Sequence, residues 1–396
     1  MSPQQMPLQK SMTIELPAQG FLFWPVGSGD STTISVGNGV IIQVDIRHLT
    51  AADDDDDPRM AVIDHLEKIL PKVNGKPYLS VFILTHPDED HCRGFADLLK
   101  RVQIGELWHT PRVFREYHKD FCPDAQAFRK EAKRRVAKTI LYQGNVGAGD
   151  RVRIIGYDEL LQEDDYNGLP ADRLTIPGNT VTELDGTDCG DMFRAFVHAP
   201  FKDDCSGERN DTSVALQIAL YRSGAIGRAL LFGDLCYPTI RRIFDISHPG
   251  DVAWNIFLAP HHCSKSVMYW RDAGETEESL RQDILDSIEG AAESPGYIVA
   301  SSDPIPTSNT SGDNPPHAKA RARYEEIVPD RFLCTQEHPN TATPEPIIFA
   351  LSASGLRYQM PTQGQTQRPQ TISDAVVAAR GSNEPPRDRV GFGQCK

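Results

Sequence analysis

The chain has 396 residues, 39% hydrophobic and 24% charged, which places it among ordinary soluble proteins with apolar material for one large core or two smaller ones. A net charge of −14 disfavours a protein that coats nucleic acid by general attraction, because phosphate binding draws on a basic surface, but it leaves nucleic acid open as a substrate. Eight cysteines without a Cys-x-x-Cys pair argue against a zinc knuckle or a disulfide framework and are expected to be reduced.

Residues 1–19 are polar, rich in Pro and Gln, and lack the basic start and apolar centre of a signal peptide. No run is apolar for long enough to span a membrane, so a cytoplasmic protein without a membrane partner is expected. Apolar strand-like runs follow at 21–24, 32–36, Val40–Val44, 81–84, 214–220, 229–232, 256–258 and 297–300. Helical spacing appears at 60–70, 94–102 and, as a basic amphipathic stretch, 125–141. This alternation predicts a layered α/β architecture. The acidic run 53–57 reads as a solvated loop without the alternating spacing of a calcium loop. Residues 108–186 break the strand rhythm and read as an insertion capping the site, and residues 362–396, rich in Gln, Pro, Arg and Gly, read as a flexible tail beyond a main domain at 12–361.

The most informative segment is Thr85-His86-Pro87-Asp88-Glu89-Asp90-His91, which directly follows the run 79–84. It places four metal-ligand side chains within six residues at the end of a strand, where imidazoles and carboxylates are exposed together. His86 and Asp88 can face one ion, and Asp90 and His91 can turn toward a second. Other strand ends supply further candidates: Asp45 after Val40–Val44, Asp234 after 229–233, and His261 with His262 after 255–260. Strand ends on one edge of a layered α/β protein gather into one crevice, so these residues are expected to converge. His86, Asp88, Asp90, His91, Asp234 and His261 are the predicted ligands, with His262 predicted to act from the substrate side or behind the ligands. Asp45, His198, Asn210 and Asp211 are candidates for the ligand set or for the groups behind it. Gly27-Ser28-Gly29 lacks the lysine and helix of a nucleotide loop and reads as a hairpin. The cations Arg129, Lys130, Lys133, Arg134, Arg135 and Lys138 have the sign to guide a phosphate backbone, or form a solvated helix face.

The order Val26-Gly27-Ser28-Gly29-Asp30-Ser31, Val44-Asp45, the 85–91 segment, Asn210-Asp211-Thr212-Ser213-Val214, Leu231-Phe232-Gly233-Asp234 and Pro260-His261-His262-Cys263-Ser264 closely resembles the metallo-β-lactamase superfamily. Within it, the chain looks most like the nuclease-like domain of the competence protein ComEC; Asn314-Pro315-Pro316-His317 is similar to that branch's Asn…His-Pro segment. The resemblance covers about residues 20–350 and implies an αβ/βα four-layer sandwich with a helical insertion, two divalent metal ions and hydrolysis. Three departures stand out. Aspartate occupies position 88 where most members carry histidine, as in the ComEC-like branch, and this hard ligand favours manganese or magnesium while leaving zinc open. The middle histidine ligand has no clear counterpart beyond Asn210, Asp211 or the upstream His198. Cys263 stands where the superfamily has glycine, so the backbone there is not expected to be glycine-like.

The chemistry implied is a hydroxide bridging two metals and aimed at phosphorus or a carbonyl carbon. Asp90 and Asp234 would hold the ions, and His262, Lys265, Ser264 or His317 would bind the non-reacting oxygens or protonate the leaving group. A phosphodiesterase, in particular a DNA or RNA nuclease, is the first expectation. A small-molecule hydrolase acting on a lactone, thioester, β-lactam or cyclic nucleotide is the second, and a metal-bearing interaction module with weakened activity, working with a protein partner or as a homo-oligomer, is the third.

Overall fold

The computed structural model describes residues 14–49, 58–115, 121–206, 210–308 and 314–360; the acidic run 53–57 and the segment 362–396 lie outside the described residues. The chain first lays down β1 (Gly20–Phe23), β2 (Thr32–Gly37), β3 (Val40–Val44), β4 (Lys76–Ile83), β5 (Gln103–His109) and β6 (Arg151–Ile155). It then builds a second sheet from β7 (Phe193–Ala199), β8 (Ala215–Arg222), β9 (Ala225–Leu231), β10 (Trp254–Leu258), β11 (Ala292–Ala300) and β12 (Phe332–Cys334). Finally it returns with β13 (Ile347–Ser352) and β14 (Gly355–Gln359), which add beside β1. Each sheet starts with antiparallel hairpins and changes to parallel pairing, at β3 to β4 in the first and at β9 to β10 in the second.

Period-2 burial explains how the sheets stack. Phe21, Phe23, Ile34, Ile42, Val81 and Ile83 of the first sheet share a core with Val197, Leu216, Ile218, Leu231, Ile256 and Leu258 of the second. The opposite faces are also apolar. Leu22, Ile41, Phe82, Ile104 and Val152 pack under α1 (Val62–Ile69), α2 (Phe95–Arg101) and α3 (Pro123–Leu141) through Leu66, Phe95 and Phe128. Leu230, Phe257 and Ile298 pack under α4 (Tyr237–Ile246), α5 (Gln282–Gly290) and α6 (Ala318–Ile327) through Ile243, Ile288 and Tyr324. Strands covered on both faces read as continuous apolar runs rather than alternation, which is why β3, β4, β9 and β10 stood out in the sequence. The result is the αβ/βα four-layer sandwich.

Residues 108–186 depart from the expected cap. They contain α3 and β6, and β6 pairs parallel with β5, so much of the segment is a helical crossover that widens the first sheet. Its strands were hidden by charge: Glu106 is buried on β5, lies 3.6 Å from Arg153 of β6, and accepts the Asp185 amide at 2.7 Å, so an internal ion pair interrupts the apolar run. The basic helix also has a structural use. Arg135 is buried and donates to the carbonyls of Ile104, Gly105 and Arg151 at 3.0–3.1 Å and to Glu131 at 2.8 Å. Arg134 and Lys138 pair with Asp150, Lys133 with Asp165, and Arg129 donates to the Phe114 carbonyl. No described helix is long and apolar enough to cross a membrane.

Candidate metal centre

The carboxyl ends of β3, β4, β9 and β10 carry Asp45, the 85–91 segment, Asp234 and the His261–His262 pair to one place. Backbone bonds lock the segments together: Asp45 N donates to Ile83 O at 2.9 Å, Val214 N to Thr85 O at 3.0 Å and His261 N to Gly233 O at 3.0 Å. Asp234 lies between two groups of ligands. On one side its Oδ2 is 3.9 Å from His86 Nε2 and 3.7 Å from His261 Nε2, with Asp88 Oδ2 3.6 Å from the same His86 atom. On the other, Asp234 Oδ1 is 3.1 Å from His91 Nε2, and its Oδ2 is 3.6 Å from His262 Nε2, which itself lies 3.2 Å from Asp90 Oδ2.

Hydrogen bonding fixes which nitrogen each ring presents. His91 Nδ1 donates to Asp45 Oδ2 at 2.7 Å, and His262 Nδ1 donates to the Ser301 carbonyl at 3.1 Å. His86 Nδ1 faces Thr85 Oγ1 at 3.1 Å and Ser213 Oγ at 3.3 Å. Both hydroxyls already donate elsewhere, Thr85 to Asp45 at 2.6 Å and Ser213 to the Asn210 carbonyl at 2.7 Å, so the imidazole must be the donor. All three rings therefore turn Nε2 toward Asp234, the orientation a metal ligand needs, and a bound cation would displace the proton that His91 and His262 otherwise hold there. His86 Nε2 is buried without a hydrogen-bond partner, and His91 Nε2 and Asp234 Oδ1, 3.1 Å apart, have no partner but each other. Buried polar atoms are rarely left so, and a divalent cation fits this donor set.

The electrostatics agree. Burial opposes charge on His91, yet Asp234, Asp45 and Asp90 hold its pKa well above the usual imidazole value. Burial likewise opposes a charged His262, but Asp234, Asp30 and Asp90 carry it up to about 10. Burial and the neighbouring His91 push His86 down, and burial lowers His261. Asp234 is held far below the ordinary carboxylate value despite its burial, by His262, His91 and His86. The concentrated carboxylate charge is what a bound cation would neutralise.

Two assignments differ from expectation. His262, expected on the substrate side or behind the ligands, is buried and belongs with His91 and Asp234 to a group whose donor atoms lie within 4.8 Å of one another, whereas His261 is 23% exposed on the open side of Asp234. The cause is local backbone: His261, His262 and Cys263 have φ of 50°, 52° and 66°, a left-handed turn that points the two rings apart. Cys263 thus takes the conformation a glycine would favour. The fourth member of that group is Asp30, which had been given no role. Its carboxylate oxygens lie 3.7 Å from His262 Nδ1 and 4.0 Å from His91 Nδ1, behind the rings, where it orients and charges them. The signal was the Gly-Asp pair at 29–30. A Cβ on Gly29 would sit 2.7 Å from the Asp90 carbonyl oxygen and overlap the Arg47 side chain, so the loop between β1 and β2 can pass only as glycine. Gly29→Ala is expected to cost about 1–3 kcal/mol, read from urea unfolding; an unmoved midpoint rules out this close packing.

His198 is not part of the centre. Its Nδ1 contacts Ser247 Oγ at 3.1 Å, its Nε2 bonds the Asp251 carbonyl at 2.9 Å, and burial pulls it down to about 4, so it braces the chain after α4. Asn210 acts behind His86 through its carbonyl, and Asp211 follows it in the same 3-10 turn. His317 is buried, accepts from the Lys265 amide at 3.2 Å and donates its own amide to the Cys263 carbonyl at 3.1 Å, so it steadies the turn carrying the histidine pair. Lys265 Nζ lies 3.1 Å from Glu278 on the wall of a cavity of about 540 Å³ that Ser266, Tyr269, Trp270 and Arg271 also line. Asp45 is the orienting group of the set, gripping Thr85 and His91 together. Asp45→Asn should weaken metal affinity roughly 10- to 100-fold in competition with a chelator; unchanged affinity removes it from that role.

No family model and no curated protein matches the chain. Solved structures do align with it. The metallo-beta-lactamase fold protein YhfI from Bacillus subtilis is 11% identical, with 80% of this chain and 95% of that one covered at a TM-score of 0.38. Unliganded yeast PDE1 is 10% identical, covering 80% and 97% at a TM-score of 0.38. FEZ-1 metallo-beta-lactamase from Legionella gormanii is 12% identical, covering 56% and 65% at a TM-score of 0.27.

Proposed function

We propose that the chain is a metal-dependent hydrolase, and that its substrate is an anionic phosphodiester. The observation that carries this reading is the set of three imidazoles whose Nδ1 atoms are occupied and whose Nε2 atoms converge on one buried aspartate. His86, Asp88 and His261 would hold one divalent ion, Asp90, His91 and His262 a second, with Asp234 shared. Zinc and manganese both suit these donors, and the three carboxylates at 88, 90 and 234 make the site oxygen-rich enough for magnesium. Bound divalent ions supply Lewis acidity, lower the pKa of water toward neutrality and offset charge building up on phosphoryl oxygens.

The chain's own groups do the rest. Asp45 and Asp30 keep the His91 and His262 rings aimed and basic, Ser213 and Thr85 do the same for His86, and the turn at 261–263 leaves His261 facing the open side. Lys265 and Arg271, on the adjoining cavity wall, supply positive charge for the non-reacting part of an anionic substrate. Aspartate at position 88 supports placement near the ComEC-like branch, but Arg135 of α3 is committed to the first sheet and Arg134 and Lys138 are paired with Asp150, which weakens one argument for a polymeric nucleic-acid substrate. A cavity of about 540 Å³ whose wall includes Lys265 and Ser266, which follow the histidine turn in sequence, supports the reading in which the phosphodiester is small, such as a cyclic nucleotide.

The test is metal analysis joined to hydrolysis. Protein reconstituted with zinc, manganese or magnesium is offered a generic phosphodiester, cyclic nucleotides, single- and double-stranded DNA, RNA and a lactone. Turnover of the generic phosphodiester that disappears in Asp90→Ala is expected. Cleavage of the lactone alone would replace the phosphodiester reading with a carbonyl hydrolase, and metal uptake without turnover of any of these would leave an interaction module.

A further inference from the structure

Next to His91, the side chain of Cys92 is fully buried, and its sulfur lies 3.6 Å from that of Cys122. Cys122 comes from a distant part of the chain. It caps the amino end of the 19-residue helix α3, where its Sγ accepts the Ala125 amide at 3.4 Å. Unlike its partner it is only half-buried, and it lines a surface cavity of about 500 Å³ together with Arg93, Lys100 and Asp124. The two sulfurs are thus asymmetric, one reachable from solvent and one held behind it. The sulfurs, 3.6 Å apart, have to close by about 1.5 Å to reach the roughly 2.05 Å of a disulfide.

We propose that Cys122 and Cys92 form a peroxide-sensitive dithiol, with Cys122 as the attacking and Cys92 as the resolving thiol. The Cys122 thiolate attacks one oxygen of a hydroperoxide; an S–O bond forms, the O–O bond breaks, and the leaving oxygen takes a proton to depart as water or an alcohol. Cys122 becomes a sulfenic acid and the peroxide is reduced. The Cys92 sulfur then attacks that sulfur, an S–S bond forms, the S–O bond breaks, and the hydroxyl leaves as water with the Cys92 proton. The environment supports this division of labour. The hydrogen bond from Cys92 and the backbone amides of the helix start bring Cys122 down to about 6 despite partial burial. Cys236, also partly exposed, is pushed up to about 11 by burial and serves as an internal comparison.

The position gives oxidation a consequence, which rests on the metal-centre reading above. Cys92 follows His91 directly and shares its helical turn, both amides donating to the Asp88 carbonyl at 3.1 Å. Drawing the Cys92 sulfur toward α3 strains the turn that aims His91 at Asp234, so the oxidised chain is expected to hold its metal less tightly.

The experiment exposes reduced, metal-loaded protein to hydrogen peroxide and maps the chain by mass spectrometry after alkylating free thiols. The expected product is the peptide carrying Cys92 joined to that carrying Cys122, formed at least roughly tenfold faster than oxidation at Cys236. Cys92→Ser should leave Cys122 as a sulfenic acid trapped by dimedone, and Cys122→Ser should leave Cys92 unoxidised. Oxidation of Cys122 no faster than that of Cys236, or absence of the linked peptide, overturns the proposal. Metal content read on the same samples should fall roughly tenfold at limiting metal once the link forms and recover with a dithiol reductant; a linked chain that keeps its metal overturns the coupling. Reduced protein that takes up no metal at all would instead strike the metal-centre reading and leave the dithiol standing on its peptide map.

Discussion

Asp234→Ala should abolish stoichiometric metal binding and lower hydrolysis by about a thousandfold or more. The carboxylate of Asp234 faces His86 and His261 on one side and His91 and His262 on the other, so its loss removes a donor from both proposed ions at once. Removing Asp88 should be milder, because it belongs to one of the two proposed donor groups, beside His86, and not to both. The measurement is metal content by elemental analysis after dialysis, alongside turnover of a generic phosphodiester. Circular dichroism provides the folding control, since the site lies at strand ends rather than among the interdigitating side chains of the central core. A folded Asp234→Ala protein that retains its full complement of metal would remove Asp234 from the centre.

Arg135→Met should destabilise the protein by about 3–5 kcal/mol, which for a chain of this size lowers the Tm by roughly 4–6 °C. The methionine fills similar space, but the carbonyls of Ile104, Gly105 and Arg151 lose their donor in a buried setting. Arg135→Lys should recover little of this, because an ammonium cannot reproduce the planar fork that reaches the carbonyls and Glu131 together. Differential scanning calorimetry checks both variants. A Tm within a degree of the parent would show that α3 is held by its apolar face alone, through Phe128 and Val136.

These two residues also mark where sequence reasoning succeeded and where it stopped. Asp234 was legible because it ends an apolar run, as do Asp45, the 85–91 segment and the histidine pair, and a strand buried on both faces announces itself without knowledge of its neighbours. Arg135 was not. Its charge suggested an outward face, and only the packing of α3 against β5 and β6 reveals three carbonyls waiting for a guanidinium. β5 and β6 were lost for a related reason, since the Glu106–Arg153 pair makes two internal strands look like polar connections.

The same division runs through the centre itself. Local pattern was enough to select the segments that converge and the layered architecture, because strand burial and the chemistry of donor side chains are written in residue type and spacing. Which ring of the 261–262 pair faces Asp90, where Asp30 belongs and why His198 does not were decided by tertiary structure. Left-handed backbone at 261–263 and the passage of the Gly29 loop against Asp90 depend on contacts between segments distant in sequence, and no periodicity within either segment encodes them.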